Sequence, residues 1–574
     1  MKKKICFSIL LILLVCSNLF LACKRFAEGI EPDNERGESY PENLSGAVLT
    51  VAEETDEADD LTFVGNELSI STLACSKEEV ETIKKERIVT EEDLILELKF
   101  NNYALPRTRD GVFFYSLIEN EVNAYNPGVS FSGADPLVQI QFDTEYITDE
   151  MIGRNESVTI LAFNEKYYRT YTLVCTTLPV LNIVCDLAYP IEDTPMQFYL
   201  FDNRENIKTR EIFSYGTMHL RGRTSMEYDK KGYKISLKTG TDESAENRKE
   251  SLLGMRKDDD WILYAGYNDI EKIRNVFSAN LWKYSCAENN AFGLDNGYEY
   301  RFVEMLFNGE YYGLYALGYK VDSKVVGLRE FPNEEYLFKK IDWDNEFNSN
   351  LYNGCSLPGY ELTEGTDSGE AWKVLKSYFH LFMDAENSRD AIQQLYSAVD
   401  IDNSIDILLF LNLIQGIDNA GEDAFKNLYL TLKYDSDHYV VLFTPWDMDY
   451  SWGSWWEDQA KNKTVEYFYG ANEHVIMPYN AAMRLVELGD ERIKQRIAER
   501  YYELRMNQWS EERLNEMIDE YEKQIFLSGC YIRDMQRWPD GCYEDPNLML
   551  SKFRSFVMER MAYMDKYVAA LTAE

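Results

Sequence analysis

The sequence predicts a multidomain protein in which an all-β sandwich precedes a larger α+β domain with a helical C-terminal part. Three observations predict this organisation. The chain has 574 residues, more than the roughly 250–300 that one hydrophobic core usually serves. Short alternating apolar runs fill residues 61–178, and mixed strand and helix patterns follow over residues 179–574. Because 45% of the residues are hydrophobic, a large core can form.

The charge balance limits the classes of partner. The chain carries 59 Lys+Arg and 99 Asp+Glu, a formal net charge of −40. A protein that binds nucleic acid through the phosphates usually presents clustered positive charge. The composition therefore argues against nucleic acid as a partner and favours basic partners.

The first element is an export signal over residues 1–22. Lysines at positions 2–4 precede an apolar run over residues 5–21, which is the pattern of a signal peptide. Ala22-Cys23 resembles the cleavage site of bacterial lipoproteins, where the cysteine becomes the lipidated first residue. We therefore expect lipidation at Cys23 and an extracytoplasmic, membrane-anchored lipoprotein at the bacterial cell surface. Ordinary secretion is the alternative, because the residues just before Ala22 depart from the usual pattern.

An acidic tether and a β module come next. Residues 23–60 are acidic and poor in large apolar residues, a composition typical of a flexible tether. Residues 61–178 alternate apolar and polar positions in short runs, which predicts an immunoglobulin-like β-sandwich. Such a module serves as a spacer or as a platform for a glycan or a surface protein. The predicted strands include residues 94–100, 138–142, 158–162 and 170–174.

Residues 179–574 make up the α+β domain. Apolar residues spaced three and four apart predict helices, and the last helix closes the domain. The predicted helices cover residues 270–286, 370–383, 404–415, 490–507, 510–526 and 548–571.

The cysteines form no recognisable framework. Those that remain after removal of the signal and acylation of Cys23 are odd in number and scattered. Pairing of Cys75 with Cys175 or Cys185 stays open beside free thiols, as does pairing of Cys530 with Cys542.

Residues 221–238 form a basic stretch within the acidic chain. Six of these eighteen residues are Lys or Arg, which predicts an anion site that includes Arg221 and Lys234. If residues 230–238 form a strand, Lys231 lies on the same face as the apolar residues. An inward lysine needs a carboxylate partner or an anionic ligand such as phosphate, unless its amine reaches back to solvent.

Two further motifs precede the C-terminal third. Arg274, near the start of a predicted helix, is a candidate phosphate ligand or else part of a salt bridge. Asn308-Gly309 lies between two apolar runs, and this dipeptide is the strongest short signal for a β-hairpin. We assign that hairpin to the scaffold.

A second hairpin carries the candidate metal ligands. Two apolar runs flank a turn, and the sequence Pro-Trp-Asp-Met-Asp follows over residues 445–449. A hairpin centred on Asp437 places Asn427 opposite Asp447, where their oxygens suit Mg²⁺ and Asp449 lies close by. A change of register by one residue would undo this pairing. The alternative is that Asp447 and Asp449 only cap the following turn.

Together these stretches resemble the CotH kinase family, bacterial spore-coat and surface proteins with an atypical protein-kinase fold. The family pattern is met in order between Arg221 and Asp449: Arg-Gly before a Ser, Lys-Lys-Gly-Tyr, Asp-Asp-Trp, an Arg-Asn helix start, Asn-Gly-Glu-Tyr-Tyr-Gly, and a hairpin that ends in Pro-Trp-Asp. The resemblance covers about residues 180–570. It implies phosphorylation of protein Ser or Thr that depends on ATP and on Mg²⁺ or Mn²⁺.

The resemblance also implies roles for single residues. Lys231 would hold nucleotide phosphates, and Asn427 and Asp447 would bind Mg²⁺. Either Asp418 or Asp423 would orient the acceptor hydroxyl. The family usually places that Asp about five residues before the Asn, whereas Asp423 lies four before it and Asp418 nine before it. Both therefore stay candidates.

One position departs from the family pattern. Tyr319 stands where family members often carry Glu. If that Glu supports the nucleotide lysine, Glu304 or another carboxylate must replace it for activity to persist.

Two functions remain open from the sequence. The first is a lipid-anchored protein kinase that acts outside the cytoplasm on a surface or secreted protein. The second is a catalytically inactive adhesin or carbohydrate-binding lipoprotein that uses the kinase-like fold as a scaffold. Exposed aromatic rings stack on sugars, and the aromatic residues that favour this second function include Trp446, Trp452, Trp455 and Trp456.

Overall fold

The computed structural model describes residues 67–118, 126–242, 244–330, 333–342, 356–383, 388–420, 426–454 and 480–573. The expected signal peptide, the lipidation at Cys23 and the acidic tether lie outside these residues. All described residues belong to one unit, Thr62–Glu574. None of the described helices is both long and apolar enough to cross a bilayer.

The N-terminal region is β-rich. Its longest sheet has the order β2-β10-β9-β7 with β5 also paired to β10, and a second sheet has the order β4-β3-β6. Apolar side chains of both sheets share one core, which includes Leu98, Phe100, Ile140 and Ile160. The elements are β1 (Glu67–Ser69), α1 (Lys77–Lys85), β2 (Ile88–Val89), β3 (Ile95–Phe100), β4 (Tyr103–Ala104), β5 (Val112–Ser116), β6 (Val129–Gly133), β7 (Gln139–Phe142), β8 (Tyr146–Thr148), α2 (Asp149–Gly153), β9 (Val158–Phe163) and β10 (Tyr167–Thr176).

The four strands predicted in this region are confirmed as β3, β7, β9 and β10. They could be found because alternation of apolar and polar residues is a local property of a strand with one buried face. The parallel pairing of β10 with β5 and β2 has no such local signal.

A closed barrel follows, with the strand order β11-β12-β13-β14-β17-β19-β18. It is closed by parallel pairing of β18 with β11, which sets Val180 opposite Glu304. Alternate residues fill its interior, and Tyr233, Ile235 and Leu237 of β14 are fully buried. The strands of this region are β11 (Val180–Cys185), β12 (Thr194–Phe201), β13 (Glu211–Arg221), β14 (Gly232–Lys238), β15 (Glu250–Ser251), β16 (Lys257–Asp258), β17 (Asp260–Tyr264), β18 (Tyr300–Phe307) and β19 (Glu310–Gly318). Of these, β15 and β16 pair only with each other and lie outside the barrel order.

The hairpin predicted at Asn308-Gly309 is confirmed as β18–β19. Asn308 has φ of 52° and Gly309 has φ of 75°. Two successive positive φ angles match the right-handed twist of the paired strands, and this is why Asn-Gly is favoured there.

The rest of the chain surrounds a four-stranded sheet, order β21-β20-β22-β23, and ends in helices. Helix α6 is buried along its length, so it is the central helix of this part. The strands are β20 (Tyr336–Lys340), β21 (Tyr360–Glu364), β22 (Leu428–Asp435) and β23 (His438–Pro445). The helices are α3 (Arg274–Ser285), α4 (Gly369–Met383), α5 (Arg389–Ala398), α6 (Ile401–Leu413), α7 (Ile417–Ala420), α8 (Ala481–Glu487), α9 (Glu491–Met506), α10 (Glu511–Glu522), α11 (Cys530–Arg537) and α12 (Ser551–Ala573).

The predicted helices are confirmed, with ends that differ from the predicted ones by up to four residues; two differences are the largest. The helix predicted from residue 270 begins at Arg274, because Lys272 has φ of 66° and Asp269 accepts the Arg274 backbone N–H at 2.7 Å. The helix predicted over residues 510–526 ends at Glu522 and continues as a π-helical turn, Lys523–Leu527. The apolar period reports the buried face of a helix and not its ends, so neither change could be predicted from it.

The β-rich region is joined to the barrel by specific contacts. The backbone N–H of Arg109 donates to the Gly309 carbonyl at 2.7 Å. Phe114 stacks on Tyr311, with ring centroids 5.4 Å apart and ring planes 7° apart. The two regions therefore meet along the β18–β19 hairpin.

Candidate functional site

The β22–β23 hairpin ends at the centre of the site. A two-residue turn, Ser436-Asp437, joins the strands, and Ser436 has φ of 55°. The predicted pairing of Asn427 with Asp447 is therefore wrong by one residue. Asn427 lies opposite Trp446 instead, whose backbone N–H donates to the Asn427 carbonyl at 2.9 Å. Asp447 is the next residue after this contact.

Asn427 and Asp447 nevertheless have the same unusual backbone conformation. Both have φ of 55°, a region that Asn and Asp tolerate better than most residues. Strained conformations of this kind are concentrated at functional sites because the surrounding structure must hold them. An oxygen-bearing side chain in a fixed backbone geometry therefore lies just before β22, and another lies just after β23.

Helix α7 supplies Asp418 to the same place. The Asn427 side-chain amide donates to Asp418 Oδ2 at 2.9 Å, and Lys426 Nζ lies 3.1 Å from the same oxygen. Asp418 is buried. The structure therefore joins a candidate catalytic carboxylate directly to a candidate metal ligand, although nine residues separate them in sequence. Asp423, the other candidate, lies outside the described residues.

Asn419, which the sequence reasoning missed, ties these elements together. Its side-chain amide donates to the Asn427 carbonyl at 3.0 Å and to the Trp446 carbonyl at 2.8 Å. Asn419 is fully buried. One amide thus connects α7 to the open ends of both strands and fixes the distance between them. An isolated Asn near a helix end carries no sequence signal for this role.

Asp449 brings a third carboxylate and a link to the start of α3. Asn268 donates to Asp449 Oδ2 at 2.9 Å. Burial raises the pKa of Asp449 well above its ordinary value, and the nearby carboxylate of Asp447 raises it further, followed by those of Asp418 and Asp269. The cluster therefore concentrates negative charge that a bound cation would stabilise.

Tyr264, the last residue of β17, lies close to this cluster. Its buried hydroxyl has no hydrogen-bond partner among the described residues. Burial raises the pKa of Tyr264, and the charges of Asp449, Asp269 and Asp447 add to this effect. A buried hydroxyl without a partner is costly in a folded protein, which is consistent with a polar ligand at this position.

The donor set fits a hard cation that is shared with a ligand. Carboxylate and amide oxygens are what Mg²⁺ prefers, and it is usually bound through one or two carboxylates plus substrate phosphates. In the described parts of the chain, no group of three or more His, Cys, Asp or Glu side chains is arranged to hold a metal ion. Asp447 and Asn427 thus suit a site that the protein completes together with phosphate oxygens.

Cationic side chains lie beside Asp447. The guanidinium of Arg221 lies 5.6 Å from the centre of the Trp446 ring, and Lys339 Nζ lies 5.5 Å from that centre. Burial lowers the pKa of Lys339, as does the charge of Arg221, whereas Asp447 raises it. The predicted anion-site residue Arg221 is therefore placed at the site, together with Lys339, which the sequence reasoning missed.

The loop after β13 covers this region. Gly222 has φ of 114°, and an added Cβ there would lie 1.9 Å from Ser225 Oγ. The glycine and serine of the motif are thus packed against each other. Further along the loop, Tyr228 stacks on Tyr267 with centroids 5.2 Å apart, next to the Asn268 that holds Asp449.

The lysines of the basic stretch are arranged differently from the prediction. Strand β14 begins at Gly232, so the inward alternation does not extend to Lys231, and that expectation is wrong. Lys231 is half-buried and donates to the carbonyls of Met226 and Tyr228, which holds the covering loop. Lys234 lies 3.4 Å from Asp260. A phosphate-binding role for Lys231 or Lys234 stays a prediction.

The inward lysine is Lys230. It is fully buried and donates to Asp534 Oδ1 at 2.7 Å and to the Leu314 carbonyl at 2.6 Å. Asp534 also explains the last glycine of the Asn-Gly-Glu-Tyr-Tyr-Gly motif, since a Cβ on Gly313 would lie 2.2 Å from its Oδ1. This buried pair fastens the barrel to α11.

Two further candidates lie in buried ion pairs. Arg274 is bound to Asp269 at 2.5 Å and to Glu271, which is the salt-bridge alternative considered for it. Its phosphate-binding role stays a prediction. Glu304, considered as a replacement for the carboxylate missing at Tyr319, is fully buried and paired with Arg533. Arg256 lies 4.4 Å over the Tyr319 ring.

The structure bears on the expected sugar-binding tryptophans and on the possible disulfide pairs. Trp446 and Trp452 are buried, so they do not form an exposed sugar-binding surface, and Trp455 and Trp456 lie outside the described residues. Among the described residues, the cysteines that were considered for pairing are free thiols.

The sequence model of the family described as "CotH kinase protein" matches residues 218–564. The chain belongs to the CotH kinase family. The match begins in β13 and ends in α12, so it includes the hairpin, Asp418 and both neighbouring cations. A search of curated proteins found no match.

Membership of the CotH family indicates a kinase-like function for this part of the chain. The β-rich region before residue 218 lies outside the match. The CotH region contains most of the barrel, the four-stranded sheet and the helical C-terminal part.

Proposed function

We propose that this protein is a CotH-type Ser/Thr protein kinase that depends on ATP and Mg²⁺ and acts outside the cytoplasm on a surface or secreted protein. The observation that carries the proposal is the meeting of Asp418, Asn427 and Asp447 at the end of one hairpin. Protein kinases use an Asp beside the attacking hydroxyl, an Asn and a second metal-binding Asp in this chain order. The atypical kinase fold is part of this proposal.

In the proposed mechanism, Asp418 orients the acceptor hydroxyl and accepts its hydrogen bond. Asn427 and Lys426 contact Asp418 Oδ2, so they hold that carboxylate in place. Asp447 and Asn427 would hold the metal, with Asp449 behind Asp447. Mg²⁺ bound there would neutralise charge on the β- and γ-phosphate oxygens.

Arg221 and Lys339 are the proposed phosphate ligands. Both are cations beside Asp447, and Lys339 is half-buried, which strengthens its attraction for an anion. We expect Arg221→Ala and Lys339→Ala each to weaken nucleotide binding by about tenfold or more, since one charged hydrogen bond contributes roughly 1.5–3 kcal/mol. Lys494→Ala serves as the matched control, because Lys494 on α9 pairs with Glu491 at 3.1 Å and has no assigned role at the site.

The cellular location rests on the N-terminal sequence alone. The lysines at positions 2–4, the apolar run and Ala22-Cys23 support export and lipidation at Cys23. The acceptor protein would then be another surface or secreted protein. Mass spectrometry of the processed N-terminus, after extraction from membranes, would detect a diacylglycerol adduct on Cys23 or its absence.

The deciding experiment is transfer of the labelled γ-phosphate of ATP by the purified chain with Mg²⁺ or Mn²⁺. Asp447→Ala is the inactive comparison. Asp437→Ala is its matched control, since Asp437 is exposed in the turn at the other end of the same hairpin. Label incorporated by the parent and by Asp437→Ala, but not by Asp447→Ala, supports a kinase.

If none of the three proteins transfers label and none binds Mg-nucleotide, the kinase proposal is wrong. The inactive adhesin or carbohydrate-binding lipoprotein then becomes the preferred function. If the parent binds Mg-nucleotide but transfers no label, the domain is catalytically inactive, and the proposed roles of Arg221 and Lys339 as phosphate ligands still stand.

A further inference from the structure

The outer face of the barrel carries an exposed aromatic groove, away from the hairpin site. Phe213 is 61% exposed and Tyr215 is 43% exposed, and Val184 beside them is 48% exposed. The groove has a volume of about 440 Å³, and Leu105 and Pro106 of the β-rich region form part of its wall. Exposed apolar side chains that are grouped in this way usually mark a binding site.

Strand register arranges these side chains in two rows. One row crosses three strands as Asn182, Tyr199 and Phe213. The next row, two residues along, crosses the same strands as Val184, Gln197 and Tyr215. With strands about 4.8 Å apart and alternate residues about 6.7 Å apart, the patch spans about 10 Å by 7 Å. The first row thus presents aromatic rings on β12 and β13 and the Asn182 amide on β11, and the second presents the Tyr215 ring on β13 and the Gln197 amide on β12.

Two side-chain amides, those of Asn182 and Gln197, line this groove. Within the described residues, the side chains of Asn182 and Gln197 make no hydrogen bond, and both are accessible at the groove. Each amide offers two N–H donors and a carbonyl acceptor. They are positioned to bind a ligand that carries several hydroxyl groups.

The charges of the groove are balanced. Its charged lining residues are Glu211 and Arg248. Glu211 accepts from the Tyr199 hydroxyl at 3.3 Å, and Arg248 is paired with Glu250 at 2.8 Å. In a chain with formal net charge −40, this local neutrality is complementary to an uncharged ligand and not to a basic one.

We propose that this groove, on the outer face of β11, β12 and β13, binds a neutral saccharide. The face of an aromatic ring is electron-rich and attracts the partly positive C–H groups on the flat side of a sugar ring. Phe213 and Tyr215 supply two such faces, and the amides of Asn182 and Gln197 bind the hydroxyl groups. The volume of the groove lies within the range of roughly 300–1,000 Å³ for small-ligand sites. The patch of about 10 Å by 7 Å is much smaller than the area of about 800 Å² per partner that a stable protein interface buries.

The groove shares no residue with the proposed phosphotransfer site. Saccharide binding and phosphate transfer can therefore be tested independently on the same protein. A bound surface glycan would hold the protein near its acceptors whether or not the domain is active.

The test is titration of the full chain with three uncharged trisaccharides, cellotriose, N,N′,N″-triacetylchitotriose and mannotriose, monitored by saturation-transfer NMR. We expect at least one to bind. We expect Phe213→Ala and Tyr215→Ala each to weaken that binding by about tenfold, which corresponds to roughly 1.4 kcal/mol, because each removes an aromatic face and the apolar area that it buries. Gln197→Ala should weaken binding by a few-fold, as expected for loss of one neutral hydrogen bond.

The matched control is Tyr502→Ala, because Tyr502 on α9 is also 43% exposed but lies outside the groove. It should bind the saccharide as the parent does. All these variants should retain the parent's thermal unfolding temperature and γ-phosphate transfer. Absence of binding to all three trisaccharides, or binding that survives both Phe213→Ala and Tyr215→Ala, overturns the proposal.

Discussion

Asn419 provides the sharpest test of how the site is held together. In Asn419→Ala the Trp446 carbonyl loses the amide partner at 2.8 Å, while the Asn427 carbonyl keeps the Trp446 N–H at 2.9 Å. One buried acceptor is therefore left without this partner, which costs roughly 1–3 kcal/mol. The buried Asn419 Oδ1, which has no partner among the described residues, is also removed and offsets part of that cost. We expect a net loss of about 1–2 kcal/mol in the free energy of unfolding.

The effect on function should exceed the effect on stability. Without the amide, the ends of β22 and β23 are no longer tied to α7, so Asn427 shifts relative to Asp418. We expect the dissociation constant for Mg-ATP to rise by about tenfold, because misplacement of a ligand by a fraction of an ångström is costly. Urea unfolding and nucleotide titration on the same samples separate the two effects.

A suitable comparison is Asn507→Ala. The Asn507 amide donates to a helix carbonyl at 2.8 Å, but it is exposed, so its loss should change stability by less than about 0.5 kcal/mol. If Asn419→Ala matches the parent in both stability and nucleotide affinity, the inferred tie between α7 and the two strands is not a constraint on the site.

Three other perturbations follow from named contacts. Asp418→Asn should lower γ-phosphate transfer by about 10²–10⁴-fold and leave nucleotide affinity unchanged. If only Asp423→Asn shows this loss, Asp423 and not Asp418 is the catalytic residue. Lys230→Met leaves the fully buried carboxylate of Asp534 without its cation and should destabilise the fold by about 3–5 kcal/mol. Lys231→Met should destabilise it by less than about 1 kcal/mol. Equal midpoints of urea unfolding for the two variants would contradict the buried ion pair. Burial lowers the pKa of Lys272 to about 8. The unfolded chain then binds more protons than the folded chain between pH 7 and 9. The free energy of unfolding of the parent should therefore rise by about 1 kcal/mol over this range relative to that of Lys272→Met. A parallel pH dependence of the two proteins would refute this.

Local patterns were enough to predict several strands, two hairpins and the long helices. Alternation located β3, β7, β9 and β10, and the spacing of apolar residues located the long helices. Asn308-Gly309 identified its hairpin because that turn requires positive φ at both residues. These features depend on residues close in sequence, so no knowledge of the fold is needed to find them.

The candidate site was predicted only in part, for identifiable reasons. The β22–β23 register was one residue off, because apolar strands leave the length of the turn undetermined. Lys230 rather than Lys231 points inward, because the alternation holds only from the first residue of the strand. Lys339 was missed because it lies on a strand that pairs with β22 from a distant part of the chain.

The sequence by itself determined the order of the motifs, the excess of acidic residues and the local secondary structure. Side-chain type, period and turn chemistry are properties of neighbouring residues, and the CotH pattern is a linear order that can be compared directly. The tertiary structure decided which of those residues meet. Asp418 contacts Asn427, Asn419 joins two strand ends, and Phe213 and Tyr215 remain exposed, because these relations arise from pairing and packing between segments far apart in the chain.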